Sequence, residues 1–205
     1  VLDCAVLVVS AVDGVQAHTV TLWRLLKQYK IPTMIFVNKM DQEGTDGEKL
    51  LKELRKRFGE NVVPFVDIMT ESDCPGGKVY LHTKESAVED VLEELAVCED
   101  DMMEEYLEEG RISLDKVQKA VADRQVFPCY FGSALHSQGV EELLDGLDRY
   151  MKDKTYPAEF GAKVYKIARD NQGNRLTYLK VTGGRLKVKD VVAVSYTHLT
   201  LPTNS

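Results

Sequence analysis

Residues Ile31 to Asp41 read IPTMIFVNKMD. Apart from Pro32, every residue up to Val37 is apolar or β-branched, which is typical of a parallel strand that is covered on both faces. Proline is tolerated among the first residues of a strand, where no ladder donor is needed. In open α/β sheets, ligands bind beyond the carboxyl ends of the strands. We therefore expect a ligand to lie at the polar residues that end this stretch, Asn38, Lys39 and Asp41.

The N-K-x-D sequence at positions 38–41 resembles the guanine-specificity motif of P-loop GTPases. Guanine presents an N1–H and a 2-amino group side by side, and the ionised carboxylate of Asp41 can accept from both. Adenine offers neither donor, so a site built on these charged hydrogen bonds rejects it. The resemblance also implies that Asn38 ties the loop to a neighbouring loop and to the base, and that Lys39 lays its methylene stem over the ring. The plain alternative is a polar strand end followed by a turn.

A second stretch, Val126–Phe131 (VFPCYF), has the pattern of another buried strand, and Gly132-Ser133-Ala134-Leu135 follows it directly. The spacing of apolar residues then predicts a helix from about Gly139 to Met151. This order resembles the second guanine-contacting loop of translational GTPases. The resemblance implies that Ala134 donates its backbone N–H to guanine O6, that Ser133 supports Asp41, and that Leu135 covers the ring.

The other segments predict an α/β fold. Val1–Val9 has the pattern of a buried parallel strand. Helical spacing follows at Val15, Thr19, Leu22, Leu26 and Tyr29, with Trp23 and Leu25 widening the apolar face, and the helix completes a right-handed strand–helix–strand unit. Farther along we predict a helix carrying Leu50, Leu51, Leu54 and Phe58, a strand over Val62–Ile68, and a loop or hairpin over Thr70–Thr83. The acidic stretch Glu85–Asp123 is predicted to be helical, with its central Glu/Asp run on an exposed face.

The pattern changes near Pro157, where three segments alternate like half-exposed strands: Lys163–Ala168, Arg175–Val181 and Arg185–Val194. The predicted connections are a hairpin loop at residues 170–174 and a tight turn at Gly183-Gly184. These segments resemble the first strands of the β-barrel that follows the GTPase domain in translation factors. We therefore expect a GTPase-domain part at residues 1–155, barrel strands at 156–194, and a foreign or disordered tail at 195–205.

Composition limits the class of protein. The chain has 205 residues and a net charge of −7, so no overall charge attracts DNA or RNA, and an RNA partner would be met through local patches. Its four cysteines form no C-x-x-C pair and are expected to be reduced thiols in the cytoplasm. No basic segment precedes an apolar stretch and no apolar run is long enough to span a membrane, so we expect neither a signal peptide nor a transmembrane helix. We expect a monomer without membrane or DNA partners.

Taken together, these motifs resemble the translational GTPases, and within them the elongation factor G branch. The phrases SAVDGVQAHTVTLWRLLKQYKIPTMIFVNKMDQ and CYFGSALHSQGVEELLD are most similar to the tetracycline-resistance ribosomal protection proteins. The resemblance implies a parallel sheet with helices on both faces, the N-terminal part of which is missing. It further implies GTP or GDP as ligand, Mg²⁺ in the intact protein, and the ribosome, both rRNA and ribosomal proteins, as partner.

The phosphate-binding machinery of that family is absent from these 205 residues. No G-x-x-x-x-G-K-[ST] motif occurs, and Gly76-Gly77-Lys78 is a decoy because Val79 stands where Ser or Thr is required. We therefore expect no catalytic residue and no metal ligand in this chain. Two hypotheses follow: the intact parent hydrolyses GTP on the ribosome, as a protection protein or as an elongation-factor-G-type translocase, or the chain is a non-catalytic binding module.

Overall fold

The computed structural model describes residues 2–65, 69–70, 81–82, 86–152 and 154–190. The described residues fall into two compact units, the first within Leu2–Asp153 and the second beginning at Lys154. Its strands are β1 (Ala5–Ser10), β2 (Thr33–Asn38), β3 (Val62–Pro64), β4 (Met69–Thr70), β5 (Leu81–His82), β6 (Phe127–Phe131), β7 (Gly161–Arg169) and β8 (Arg175–Gly183). Its α-helices are α1 (Ala17–Gln28), α2 (Gly47–Phe58), α3 (Ser86–Cys98), α4 (Asp100–Glu109), α5 (Leu114–Ala122) and α6 (Val140–Tyr150).

A four-stranded parallel sheet forms the centre of the first unit, in the order β1-β2-β6-β3. Helix α1 connects β1 to β2, and β6 lies between β2 and β3. Pro128 is tolerated inside β6 because β6 pairs with β2 only from the next residue, Cys129, onward. The ladder between β2 and β6 therefore loses no N–H donor. Because all four strands are parallel, their carboxyl ends meet at one edge of the sheet.

Strand β2 supplies the middle of both hydrophobic cores, and residues 33–37 are all buried. Met34 and Phe36 pack on one face with residues of α3, α5 and α6. Ile35 and Val37 pack on the other face with residues of α1 and α2. Burying a side chain of this size contributes roughly 1.5–3 kcal/mol. Helices on both faces of a parallel sheet confirm the fold class that the sequence predicts.

Helix α1 buries only part of the predicted apolar face. Leu22 and Tyr29, expected to be in the core, are 37% and 68% exposed. Trp23, which is predicted to widen that face, is buried, with its ring centroid 4.6 Å from that of Phe58 and 4.7 Å from that of Phe127. The indole removes more apolar area from water than a leucine does, so the helix turns Trp23 inward.

Strand β1 is buried on one face only. It begins at Ala5, and Leu7 and Val9 lie in the core that contains α1 and α2. Val8 points to the opposite side and is 57% exposed. The prediction of a fully buried strand over Val1–Val9 is therefore wrong for this face. The reason is that β1 lies at the margin of the core formed with α3, α5 and α6, where Val6 is partly buried but Val8 is not covered.

The acidic stretch is helical as predicted, in α3, α4 and α5, but one of its carboxylates is not on an exposed face. Glu105 is buried, and its Oε2 accepts from both the backbone N–H and the hydroxyl of Ser113 at 3.0 Å. Lys116 Nζ lies 3.4 Å from the same oxygen. The carboxylate therefore holds the start of α5 against α4.

Between β3 and α3 the described residues are few. Met69 pairs with His82 and Thr70 with Leu81 in an antiparallel ladder, as a hairpin over this segment requires. The decoy at positions 76–78 and the last part of the strand predicted over Val62–Ile68 lie outside the described residues.

The second unit contains an antiparallel hairpin, β7 with β8. Its loop is organised by Asp170, whose Oδ1 accepts from the backbone N–H groups of Gln172 and Asn174 at 2.9 and 2.8 Å. A third strand is not formed over residues 185–190, and the predicted remainder of that strand and the tail at 195–205 lie outside the described residues. The hairpin is compatible with the start of a β-barrel.

Within the described ranges, every helix is too short or too polar to cross a lipid bilayer.

Candidate functional site

Three loops meet at the carboxyl edge of the sheet, and backbone hydrogen bonds join them. The N–H of Ala11, after β1, donates to the carbonyl of Asn38 at 2.8 Å. The N–H of Gly132, after β6, donates to the carbonyl of Val37 at 2.9 Å, and the N–H of Met40 donates back to Gly132 at 3.0 Å. The sheet pairing is thus continued into the loops, so that the two motifs found in the sequence lie side by side.

Asn38 connects these two motifs through its side chain. Its Oδ1 accepts from the N–H of Lys39 at 2.8 Å and from the N–H of Ala134 at 2.9 Å. The Ala134 N–H is therefore directed at Asn38 in this structure, whereas the sequence resemblance assigns it to guanine O6. For Ala134 to donate to a base, its backbone N–H has to leave the Asn38 oxygen or be shared between that oxygen and the base.

Lys39 adopts a left-handed backbone conformation, with φ at 69°. Such a conformation is uncommon for a residue other than glycine and stores strain that the surrounding structure must hold. Its Nζ lies 4.0 Å from Oδ2 of Asp13, which belongs to the loop after β1. The lysine side chain therefore extends across the site toward the β1 loop. Asp13 was not singled out from the sequence.

Asp41 stands at the junction of the two motif loops, and its side chain is 19% exposed. Its Oδ2 accepts from Gln42 Nε2 at 2.9 Å and lies 3.7 Å from His136 Nε2. The nearby Ser133 hydroxyl, and after it the Gln42 amide, lower the pKa of the Asp41 carboxyl below its ordinary value. The group is therefore ionised at neutral pH. Sequence reasoning missed Gln42 and His136, whose only signal is that each is close in sequence to a motif residue.

Ser133 and Leu135 occupy opposite sides of the second loop. The Ser133 hydroxyl is buried beside Asp41, and its interaction with that carboxylate is the main cause of the lowered Asp41 pKa, although the contact lies outside normal hydrogen-bond geometry. Leu135 is 83% exposed and projects from the loop surface. The structure therefore brings together the six residues that the sequence nominates, namely Asn38, Lys39, Asp41, Ser133, Ala134 and Leu135.

The second loop is held closed by its own backbone. Ser133 and Gln138 exchange N–H to carbonyl hydrogen bonds at 2.9 and 3.0 Å. Gly132 packs so tightly against the Gln138 carbonyl that a β-carbon at position 132 would collide with it. Gly139 has φ at 72°, and a β-carbon there would collide with the Phe131 carbonyl. The loop from Gly132 to Gly139 therefore has a defined shape before any ligand arrives.

The described residues contain no cluster of three or more His, Cys, Asp or Glu side chains that could hold a metal ion.

Comparison with known proteins gives consistent results. The family described as the elongation factor Tu GTP-binding domain matches residues 1–153. Tetracycline resistance protein TetW of Butyrivibrio fibrisolvens is 34% identical over 202 residues, which cover 95% of this chain and 30% of that protein. Tetracycline resistance protein TetP of Clostridium perfringens is 30% identical over 204 residues, which cover 94% of this chain and 30% of that protein.

The fold also has a solved counterpart. A crystal structure of a protein from Thermus thermophilus aligns with a TM-score of 0.66 and 25% sequence identity, over 92% of this chain and 33% of that one. The chain spans 30% of the length of each of the two tetracycline resistance proteins. Since the family match covers 153 of the 205 residues, the chain belongs to the elongation factor Tu GTP-binding domain family.

Proposed function

We propose that this chain recognises the guanine base of GTP and GDP within a translational GTPase. The observation that carries the proposal is the Asn38–Ala134 hydrogen bond of 2.9 Å, which holds the N-K-x-D loop and the G-S-A-L loop together at the carboxyl edge of the sheet. Ligands of open α/β folds bind at this edge. A strand end followed by an ordinary turn has no need for such a link.

Asp41 is the residue that reads the base in this proposal. An ionised carboxylate has acceptor capacity for two donors, and guanine offers an N1–H and a 2-amino group at matching spacing. The lowered pKa of Asp41 keeps this acceptor charged at neutral pH. Adenine leaves the carboxylate without partners, and the lost charge-assisted hydrogen bonds provide the discrimination.

Lys39 and Leu135 are assigned to the two faces of the ring. Lys39 extends toward Asp13, so its methylene stem is available to one face of a base. Leu135 is a large apolar side chain left 83% exposed, and covering it with a planar ring removes apolar surface from water. Ser133 supports Asp41 from within the loop, and Ala134 donates to O6 once Asn38 shares its amide.

For the whole protein we propose GTP hydrolysis on the ribosome, in the cytoplasm, of the tetracycline-resistance ribosomal protection type. The two tetracycline resistance proteins support this assignment through sequence identity over nearly all of the present chain. Mg²⁺ and the phosphates would be held by residues outside this chain, because no phosphate-loop motif occurs in it. An elongation-factor-G-type translocase is the alternative for the parent. For the 205-residue chain alone, the same missing motif favours a non-catalytic base-binding module.

The test is base selectivity measured on the 205-residue chain itself. GMP and AMP differ in the base alone, so an NMR titration with each nucleotide isolates base recognition from phosphate binding. We expect shifts at the amides of Lys39, Asp41 and Ala134 with GMP, and much weaker binding of AMP. Equal affinity for the two nucleotides would refute guanine recognition.

A further inference from the structure

A third loop, residues 11–15 after β1, borders the candidate site beside the two motif loops. It matches no motif in the sequence. The N–H of Ala11 donates to the Asn38 carbonyl at 2.8 Å, so this loop is joined to the N-K-x-D loop at the point where the latter begins. It carries Asp13, whose Oδ2 lies 4.0 Å from Lys39 Nζ.

The β1 loop has a defined shape, so Asp13 is presented from a fixed position. The N–H of Gly14 donates to the Ser10 carbonyl at 2.9 Å, and the N–H of Val15 donates to Oε1 of Glu53 at 3.3 Å. Gly14 has φ at 65°, and a β-carbon there would lie only 2.9 Å from Oε2 of Glu53. Glu53 belongs to α2, which follows the N-K-x-D loop, so the β1 loop is anchored on the element next to the site.

Lys39 is fixed in its backbone, and its side chain reaches the β1 loop. The backbone is left-handed, and its N–H is held by Oδ1 of Asn38 at 2.8 Å. The four-carbon stem has many rotamers, and ordering a lysine side chain costs conformational entropy. An attraction between Nζ and Asp13 favours the rotamers that extend toward the β1 loop. These are the rotamers in which the stem is available to one face of a base.

We propose that Asp13 is a positioning residue for guanine recognition, because its carboxylate attracts the Lys39 ammonium and so keeps the methylene stem in place to cover the base. The inference rests on the proposed guanine recognition and adds a third loop to the site. A stem that is ordered before the ligand arrives loses less conformational entropy on binding, so affinity rises. Asp13 acts through Lys39 and contacts no atom of the base.

The exposure of the pair sets the size of the effect. The Lys39 and Asp13 side chains are 54% and 48% exposed, so water screens the attraction and its contribution to folding stability is small. We expect a contribution to base affinity on the order of twofold to fivefold. A loss of binding without a loss of stability distinguishes a positioning role from a structural one.

The experiment is an NMR titration of the 205-residue chain with guanosine. Guanosine has no phosphate, so removing a negative charge from the protein cannot raise affinity by relieving a repulsion. Asp13→Ala is expected to lower guanosine affinity roughly threefold and to leave urea denaturation unchanged. Asp13→Glu keeps the carboxylate and is expected to retain most of the affinity.

A double-mutant cycle tests whether Asp13 acts through Lys39. Lys39→Met keeps an unbranched side chain but removes the ammonium, so Asp13→Ala should have no further effect in that background. Glu43→Ala, at an exposed position in the loop after the N-K-x-D motif, is the matched control and should leave guanosine affinity unchanged in both backgrounds. An equal loss from Asp13→Ala with and without the Lys39 ammonium would overturn the inference.

The possible failures are distinguishable. A wild-type chain that binds guanosine and adenosine alike refutes the proposed function, and the role of Asp13 falls with it. A wild-type chain that selects guanosine, together with an Asp13→Ala variant of unchanged guanosine affinity, refutes only the positioning role of Asp13.

Discussion

The side-chain oxygen of Asn38 accepts a hydrogen bond from the backbone N–H of Ala134 at 2.9 Å, across 96 positions of the chain. The same oxygen accepts from the N–H of Lys39, so one amide group fixes both loops of the candidate site. Because the two loops follow neighbouring strands, the sheet fixes the distance between them. The Asn38 side chain then joins one loop to the other by a hydrogen bond.

Asn38→Ala is expected to separate the two loops. It leaves the N–H groups of Lys39 and Ala134 without their acceptor, which should lower the unfolding free energy by about 1–2 kcal/mol. Amide exchange at Ala134 should accelerate, as measured by NMR. Asn38→Asp keeps the acceptor oxygen and serves as the control, with little change at Ala134. Unaltered exchange in the alanine variant would show that Asn38 does not hold the second loop.

Gly132→Ala is expected to destabilise the chain through a collision rather than through a lost contact. The added methyl group meets the Gln138 carbonyl, which is backbone and is itself fixed by the Ser133 hydrogen bond. Overpacking of this kind costs typically about 1–3 kcal/mol.

Gly47→Ala is the matched control for this collision. There the added carbon meets only the side chains of Met40 and Phe131, at ordinary van der Waals distances of 3.7 Å and 3.9 Å, and lies at the first position of α2. Urea denaturation should show a loss for Gly132→Ala and no loss for Gly47→Ala. Equal stability of the two variants would contradict the tight packing of the second loop.

Glu105 makes the stability of the first unit depend on pH. Burial acts to raise the pKa of this carboxyl, but the two Ser113 donors and Lys116 outweigh it, so the pKa in the folded state lies below the ordinary value of 4.5. The stabilisation is therefore fully present above about 4.5 and is lost as the pH falls through the folded-state pKa.

Glu105→Gln should consequently lower the unfolding free energy at pH 7, and the difference from wild type should shrink as the pH drops below 4.5. Urea denaturation at several pH values measures this directly. Glu104→Gln, at an exposed neighbouring position, is the control and should show little change. A constant difference across the acidic range would mean that the Glu105 charge contributes nothing.

The 205-residue chain is expected to release phosphate from GTP only at the background rate. Catalysis of phosphoryl transfer depends on groups that position and neutralise the phosphates, and the motif that supplies them is absent from this sequence. A steady-state phosphate-release assay, with and without ribosomes, tests this. Ribosome-stimulated turnover by the purified chain would contradict it.

The parallel sheet could be predicted because its strands are continuous apolar runs. The stretch from Thr33 to Val37 is buried on both faces, as its continuous apolar pattern predicts, whereas the similar run in β1 leaves Val8 exposed. The predicted apolar face of α1 contains both Leu22 and Trp23, and spacing alone could not show that the fold buries Trp23 and leaves Leu22 exposed. The choice depended on Phe58 and Phe127, which are distant in sequence and form the aromatic site that receives Trp23.

The motif residues of the candidate site could be predicted because they form two short contiguous sequences, N-K-x-D and G-S-A-L, each directly after a predicted strand. Gln42, His136 and Asp13 were not found, because each reaches the site through a side-chain geometry that sequence separation does not reveal. Glu105 was missed for a related reason. In an acidic run, nothing marks the one carboxylate that has Ser113 and Lys116 within reach.

The central claim is that Asp41 reads guanine, and Asp41→Asn tests it most directly. Xanthine keeps the N1–H but has a carbonyl in place of the 2-amino group. An amide can accept from the first and donate to the second, whereas a carboxylate is repelled by the carbonyl. The substitution is nearly isosteric, so the buried strand should be undisturbed.

The measurement is a set of NMR titrations of the wild-type and Asp41→Asn chains with GMP, XMP and AMP. We expect the wild type to prefer GMP, and the variant to lose GMP affinity by roughly tenfold or more and to prefer XMP. A folded Asp41→Asn chain that binds GMP as tightly as the wild type would show that Asp41 only begins the polar loop after β2, and that the guanine-recognition account is wrong.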